Sequence, residues 1–292
     1  MSTKAPTCQL PDAKEMCPTS HAGYTYSGAC AAWAYKTLDL NKTKRIFLLG
    51  PSHTYSLRGC AATTYGRYAT PFGNFTVDQE TIGKIKRSCD VDEIPRTGDM
   101  AEHSLEMHLP YLWKRCEQTF ADPSKFPLLV PMLVGSSSRE AEKKIGKALA
   151  PFLKDPTNAF VISSDFCHWG DNFDYMVYSA EKDPAKLSKL SRSSPTPSGS
   201  PIHETIRAID QAAMKAIETG KHDAFLDSLK MTQNTVCGRH PIGVAMAAME
   251  EIMKDVADKN KARFKVVRYE RSNLVTKPND FSVSYVSAYA VL

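Results

Sequence analysis

Short apolar blocks bounded by turn residues recur along the chain. The clearest is IFLL at 46–49, which follows Arg45 and stops at Gly50 and Pro51. Four apolar residues are too few for a helix and describe a strand buried on both faces. The same reasoning predicts strands at 60–65, 126–134 and 159–163, and two closing strands at 264–269 and 283–291 that add edges to the same sheet. Between these blocks the apolar spacing turns helical. An Ala-rich helix is predicted over 28–38, and a helix ending near 88 opens on a capping box of Thr76 and Gln79 after a turn at 70–74. Over 102–116, Leu105, Leu109, Leu112 and Trp113 share one stripe that Pro110 kinks or restarts, behind an unusually polar turn of Glu102, His103, Glu106 and His108. Further helices are predicted over 139–153, 203–219, 223–230 and from Pro241 to about residue 256.

Strand, helix and strand in alternation predict a single α/β domain: a mostly parallel or mixed central sheet with helices on both faces. Residues 1–20 carry three prolines and no periodicity, and read as an irregular N-terminal tail. The domain then runs over 21–292, with a flexible Ser/Pro-rich surface insertion at 182–201.

Composition changes this picture little. The chain has 292 residues, 42% hydrophobic and 24% charged, enough to bury a sizeable core. Its net charge of +5 comes from 37 basic against 32 acidic residues scattered in short groups, which describes a solvated surface and predicts no nucleic-acid partner. The opening residues lack the apolar core of a signal peptide and no apolar run is long enough to span a bilayer, so no membrane association is expected. The eight cysteines are dispersed without a Cys-x-x-Cys pair. They read as reduced thiols, and the expected location is cytoplasmic or nuclear.

Candidate chemistry follows from topology. His53 lies just past the carboxyl end of a strand, where open α/β sheets bind ligands. Residues 159–170, AFVISSDFCHWG, repeat the arrangement with Asp165, Cys167 and His168. His21, His53, Asp165, His168 and Cys237 each occupy a Gly- or Ser-bearing loop beside an apolar segment, so they could converge at one sheet edge as metal ligands. A zincin-like helix is rejected, because His103 and His108 are five residues apart and leave the shared helical face that the motif needs. A thiol nucleophile could use Cys237 with His168 and Asp165, its pKa lowered by Arg239 and His240, but the flanking sequence matches no such signature. His203 and His222, at helix starts in polar surroundings, read as structural.

Taken together and in order, HAGYTYSG, RIFLLGPSH, EHSLEMHLPYL, VISSDFCHWG and TVCGRHPIGV closely resemble the Memo family, named for mediating receptor-kinase-driven cell motility. The resemblance covers about residues 18–292 and implies a fold related to the LigB-like class III extradiol dioxygenases, which hold Fe(II) with two histidines and a carboxylate. It implies His21 and His53 as the two histidine ligands, Cys237 in place of the carboxylate, His168 as the catalytic base with Asp165 beside it, and His103 lining the pocket. A thiolate with two imidazoles is softer than the dioxygenase set and favours copper, so extradiol ring cleavage is not expected. The cofactor implied is a copper or iron ion, with copper-dependent oxidoreductase activity as one reading and a role in redox signalling and cell motility. The alternative is a non-catalytic module binding phosphotyrosine peptides or a signalling protein in the vestigial cleft. The chain departs from the family pattern in two places. CPTS precedes His21 where an apolar strand is expected, so a central strand would be missing or the N-terminus truncated, and the 182–201 insertion is longer than usual.

Overall fold

The computed structural model describes residues 15–254, 256 and 261–292. In chain order the elements are β1 Glu15–Thr19, α1 Tyr24–Thr37, β2 Arg45–Pro51, β3 Cys60–Ala62, β4 Arg67–Thr70, β5 Gly73–Thr76, α2 Gln79–Ser88, β6 Val91–Glu93, α3 Arg96–Ala101, α4 His103–Glu106, α5 Leu109–Thr119, β7 Leu128–Val134 and α6 Arg139–Lys154. They continue with β8 Asn158–Ser163, β9 His168–Trp169, β10 Val177–Tyr178, β11 Ser188–Lys189, α7 Ile202–Glu218, α8 His222–Thr232, α9 Arg239–Met253, β12 Phe264–Arg271 and β13 Ser282–Val291.

The main sheet runs β12-β13-β1-β8-β2-β7-β3-β6, with β9 paired to β13. Its centre, β1-β8-β2-β7, is parallel, while β13 joins β1, β12 and β9 antiparallel. The expected α/β class is thus observed, with a mixed sheet. Alternation along the central strands explains why they read as unbroken apolar runs. Phe47 and Leu49 of β2 face a core shared with α6 and α9, whereas Ile46 and Leu48 face one shared with α1 and α5. All four are fully buried.

Three local expectations are corrected. Within the expected irregular tail, residues 15–19 form β1, inserted between β13 and β8, and residues 1–14 lie outside the described residues. Met16 and Cys17 point into opposite cores and are fully buried, so two side chains do what a longer apolar run does elsewhere. Pro18 is tolerated because pairing to β13 covers only Glu15 and Met16. The closing strand β13 is consequently internal, and β12 is the edge. At α2 the cap is Asp78, whose Oδ1 accepts the Thr81 N–H at 2.9 Å while Oδ2 accepts from Arg45 Nε at 2.7 Å. Thr76 still belongs to β5, too early to cap, and Gln79 reaches back to the Tyr65 carbonyl instead.

The 182–201 segment is tied down rather than free-standing. β11 pairs with β10, the Leu190 N–H donates to the Met176 carbonyl, and Leu187 and Leu190 pack on the cluster around Trp169 and Ile206. Pro110, as anticipated, restarts the helix: α4 ends at Glu106 and α5 begins at Leu109 with the proline in its first turn. Among the described residues no helix is long and apolar enough to cross a membrane.

Candidate metal centre

The carboxyl ends of β1, β8 and β2 lie level, Thr19 opposite Ser163 and Leu49 opposite Ile162. His21, Asp165 and His53 follow these three ends. Cys237 arrives from the turn that starts α9, and the close fit of that turn depends on Gly238. A Cβ there would sit 2.3 Å from the Ser163 carbonyl oxygen and 2.4 Å from Ser164 Cβ. The approach lets the Asp165 N–H donate to Cys237 Sγ at 3.1 Å and the Gly238 N–H donate to Ser164 Oγ.

Ligand atoms of His21, His53 and Cys237 all lie within 4.8 Å of one another, and Cys237 Sγ is 3.2 Å from His21 Nε2. Atoms bound to one metal at ~2.0–2.3 Å fall in this range. The hydrogen bonds behind the ligands fix which nitrogen is available. Ser163 Oγ donates its only proton to the Ser104 carbonyl at 2.7 Å, so it accepts from both imidazoles beside it: His21 Nδ1 at 2.6 Å and His108 Nε2 at 2.8 Å. His108 Nδ1 in turn accepts from the Tyr35 hydroxyl at 2.6 Å. His21 is left with a bare Nε2 facing the thiol. At His53, Nδ1 donates to Glu102 Oε1 at 3.1 Å while its backbone N–H donates to Oε2 at 2.6 Å, which leaves Nε2 bare.

Electrostatics favour the same states. Burial, then the neighbouring His53, His103 and His168, push His21 well below the usual imidazole range. Burial likewise depresses His108. Both rings are neutral, the state in which an imidazole can bind a metal. Burial works to raise Glu102, but hydrogen bonds from the His53 ring and from the backbone of His53 and Ser104 prevail and hold it at about 2. The Cys237 thiol is pushed up strongly, by burial and then by Asp165. The expected activation by Arg239 and His240 is therefore corrected: Arg239 is exposed, and His240 Nδ1 lies 2.6 Å from Glu142 Oε1. The same Glu142 accepts from buried His222 at 2.6 Å, consistent with a structural His222.

The remaining predicted residues gather around the three donors. Asp165 Oδ1 accepts the His21 N–H at 3.2 Å, and Asp165, His168 and Cys237 also bring ligand atoms within 4.8 Å. His168 Nδ1 donates to the Phe166 carbonyl at 2.8 Å. His103 stacks on His53 with ring centres 4.5 Å apart, half exposed at the opening. Glu102, Ser163, His108 and Tyr35 were not anticipated as site residues. The polar turn at 102–108 signalled the first and third; nothing in the Ala-rich helix signalled Tyr35.

Two imidazoles and a thiol gathered at the carboxyl edge of a parallel sheet form a candidate metal site on a LigB-like α/β fold. More narrowly, the chain belongs to the Memo family, whose model, described as Memo-like protein, matches residues 6–289. It is 39% identical over 272 residues to Protein MEMO1 of Xenopus laevis, covering 93% of this chain and 84% of that one. It is also 39% identical to the Protein memo-1 homolog of Caenorhabditis elegans, covering 91% of this chain and 69% of the relative. Protein MEMO1 of Homo sapiens is 38% identical, with 91% and 82% covered.

Proposed function

We propose that this protein holds one redox-active transition-metal ion, copper or iron, through His21 Nε2, His53 Nε2 and Cys237 Sγ. The observation that carries the reading is the convergence of these three donors with both ring nitrogens left bare by their hydrogen bonds. A thiolate and two imidazoles make a soft set that suits copper and iron and disfavours magnesium, calcium and manganese. The bound ion would supply one-electron redox chemistry and Lewis acidity at the opening beside His53. The protein's own part is positional. Glu102 orients His53, Ser163 orients His21, and His168 Nε2 offers a proton acceptor at the rim. Because the Cys237 thiol is pushed up, uptake of the ion as a thiolate complex releases its proton, and affinity rises with pH. A part in redox signalling and cell motility, in the cytoplasm or nucleus, belongs to the same proposal.

Elemental analysis of untagged protein against a His53→Ala, Cys237→Ala double variant tests it. The expected result is about one equivalent of copper or iron in the parent and little in the variant, with both folded by circular dichroism. Equal metal in the two contradicts the proposal. Phosphotyrosine-peptide binding unchanged by the double substitution and by chelation would favour an interaction module instead.

A further inference from the structure

The Ser/Pro-rich segment at 182–201 has no part in the metal site, and one hydroxyl in it stands apart. The Ser and Thr residues that precede a proline in this chain are Thr70, Ser194, Thr196 and Ser200. Thr70 closes the β4–β5 hairpin, where its Oγ1 accepts the Phe72 and Gly73 N–H groups at 3.0 and 3.1 Å. Ser194 Oγ accepts the Ser191 N–H at 2.9 Å inside a turn, and the Ser200 carbonyl accepts the Tyr178 hydroxyl at 2.9 Å just before α7. Ser194 and Ser200 are half-buried, whereas Thr196 is exposed and its hydroxyl has no partner among the described residues. The backbone around Thr196 is equally unengaged. Residues 195–199 make no backbone hydrogen bond among the described residues, although Leu190 on one side and Ser200 on the other are anchored. A residue before proline is steered to extended backbone, and Pro195 and Pro197 keep Thr196 out of helix and ladder, so the stretch is extended before any partner arrives.

We infer that Thr196 is a phosphorylation site for a proline-directed protein kinase. Such a kinase grips its substrate as an extended segment, and its apolar pocket for the residue after the acceptor leaves an ordinary backbone N–H without a partner. Pro197 has no N–H to strand there. A segment already extended also loses less freedom on binding. Thr196 Oγ1 attacks the γ-phosphorus of ATP. The new O–P bond forms as the bond from that phosphorus to the β–γ bridging oxygen breaks, ADP leaves, and the hydroxyl proton goes to the kinase's catalytic aspartate. The product places about −1.5 to −2 charges on residues 193–201, which otherwise carry none. The inference is independent of the metal reading.

The test treats the full chain with magnesium ATP and a recombinant kinase of the mitogen-activated class, then in parallel with one of the cyclin-dependent class, and maps phosphate by mass spectrometry. One phosphate is expected, on Thr196, while Thr70, Ser194 and Ser200 stay unmodified over the same interval. Thr196→Ala should lose it. Pro197→Ala leaves the acceptor in place and should be labelled at least ~10-fold more slowly, because the kinase pocket then holds an unpaired N–H. Both variants should match the parent by circular dichroism, since neither side chain supports the fold. No phosphate with either kinase, phosphate placed mainly on another residue, or Pro197→Ala labelled as fast as the parent would overturn the inference.

Discussion

Ser163 has one hydroxyl proton and two imidazoles to satisfy, and the choice it makes reaches His21. With its proton committed to the Ser104 carbonyl, His21 must present Nε2 to Cys237, and His108 must be held from its far side by Tyr35. Ser163→Ala removes the acceptor for both rings at a fully buried position. The expected cost is ~1–3 kcal/mol of stability for the unpaired N–H groups and a ~10–100-fold loss of metal affinity. Urea unfolding and a chelator competition measure the two, and an unchanged affinity would show that Ser163 does not set the His21 tautomer. His21, His53, Asp165, His168 and Cys237 were legible because Gly and Ser mark the loops at strand ends. Ser163 and Tyr35 were not, since their roles exist only once chain segments far apart in sequence face each other.

At the scale of the element, β1 is the instructive miss. EMCPT has neither a run of apolar residues nor an alternation, and its proline argues against an internal strand. It is one because both its neighbours are already in place, and because Met16 and Cys17 each fill one core. The start of α9 shows the opposite case, where a single small residue was visible in the sequence and its reason was not. Gly238 lets the Cys237 turn press on the end of β8, against the Ser163 carbonyl. Gly238→Ala should destabilise by ~1–3 kcal/mol and move Cys237 away from His21. Gly83→Ala in α2 meets only the end of the Arg87 side chain at 3.6 Å and should be neutral or stabilising by up to ~1 kcal/mol. Thermal melts of the pair, with metal titrations, check both signs. Equal melts would remove the packing argument.

Across the whole molecule, the candidate site and the fold share one geometric cause. Parallel strands feed their carboxyl ends to the same side of the sheet, so β1, β8 and β2 deliver His21, Asp165 and His53 to one edge from segments far apart in the chain. That architecture was legible, since buried runs alternating with amphipathic helices admit few other arrangements. The order of the strands was not, because β13 enters antiparallel between β12 and β1 through pairings that no local pattern encodes. The central claim is that two imidazoles and one thiolate share an ion at this edge. X-ray absorption spectroscopy on the copper- or iron-loaded protein reads the ligands directly. One sulfur and two imidazole nitrogens are predicted, with the sulfur lost in Cys237→Ala; a spectrum with nitrogen and oxygen scatterers alone, the same in protein and variant, would contradict the account.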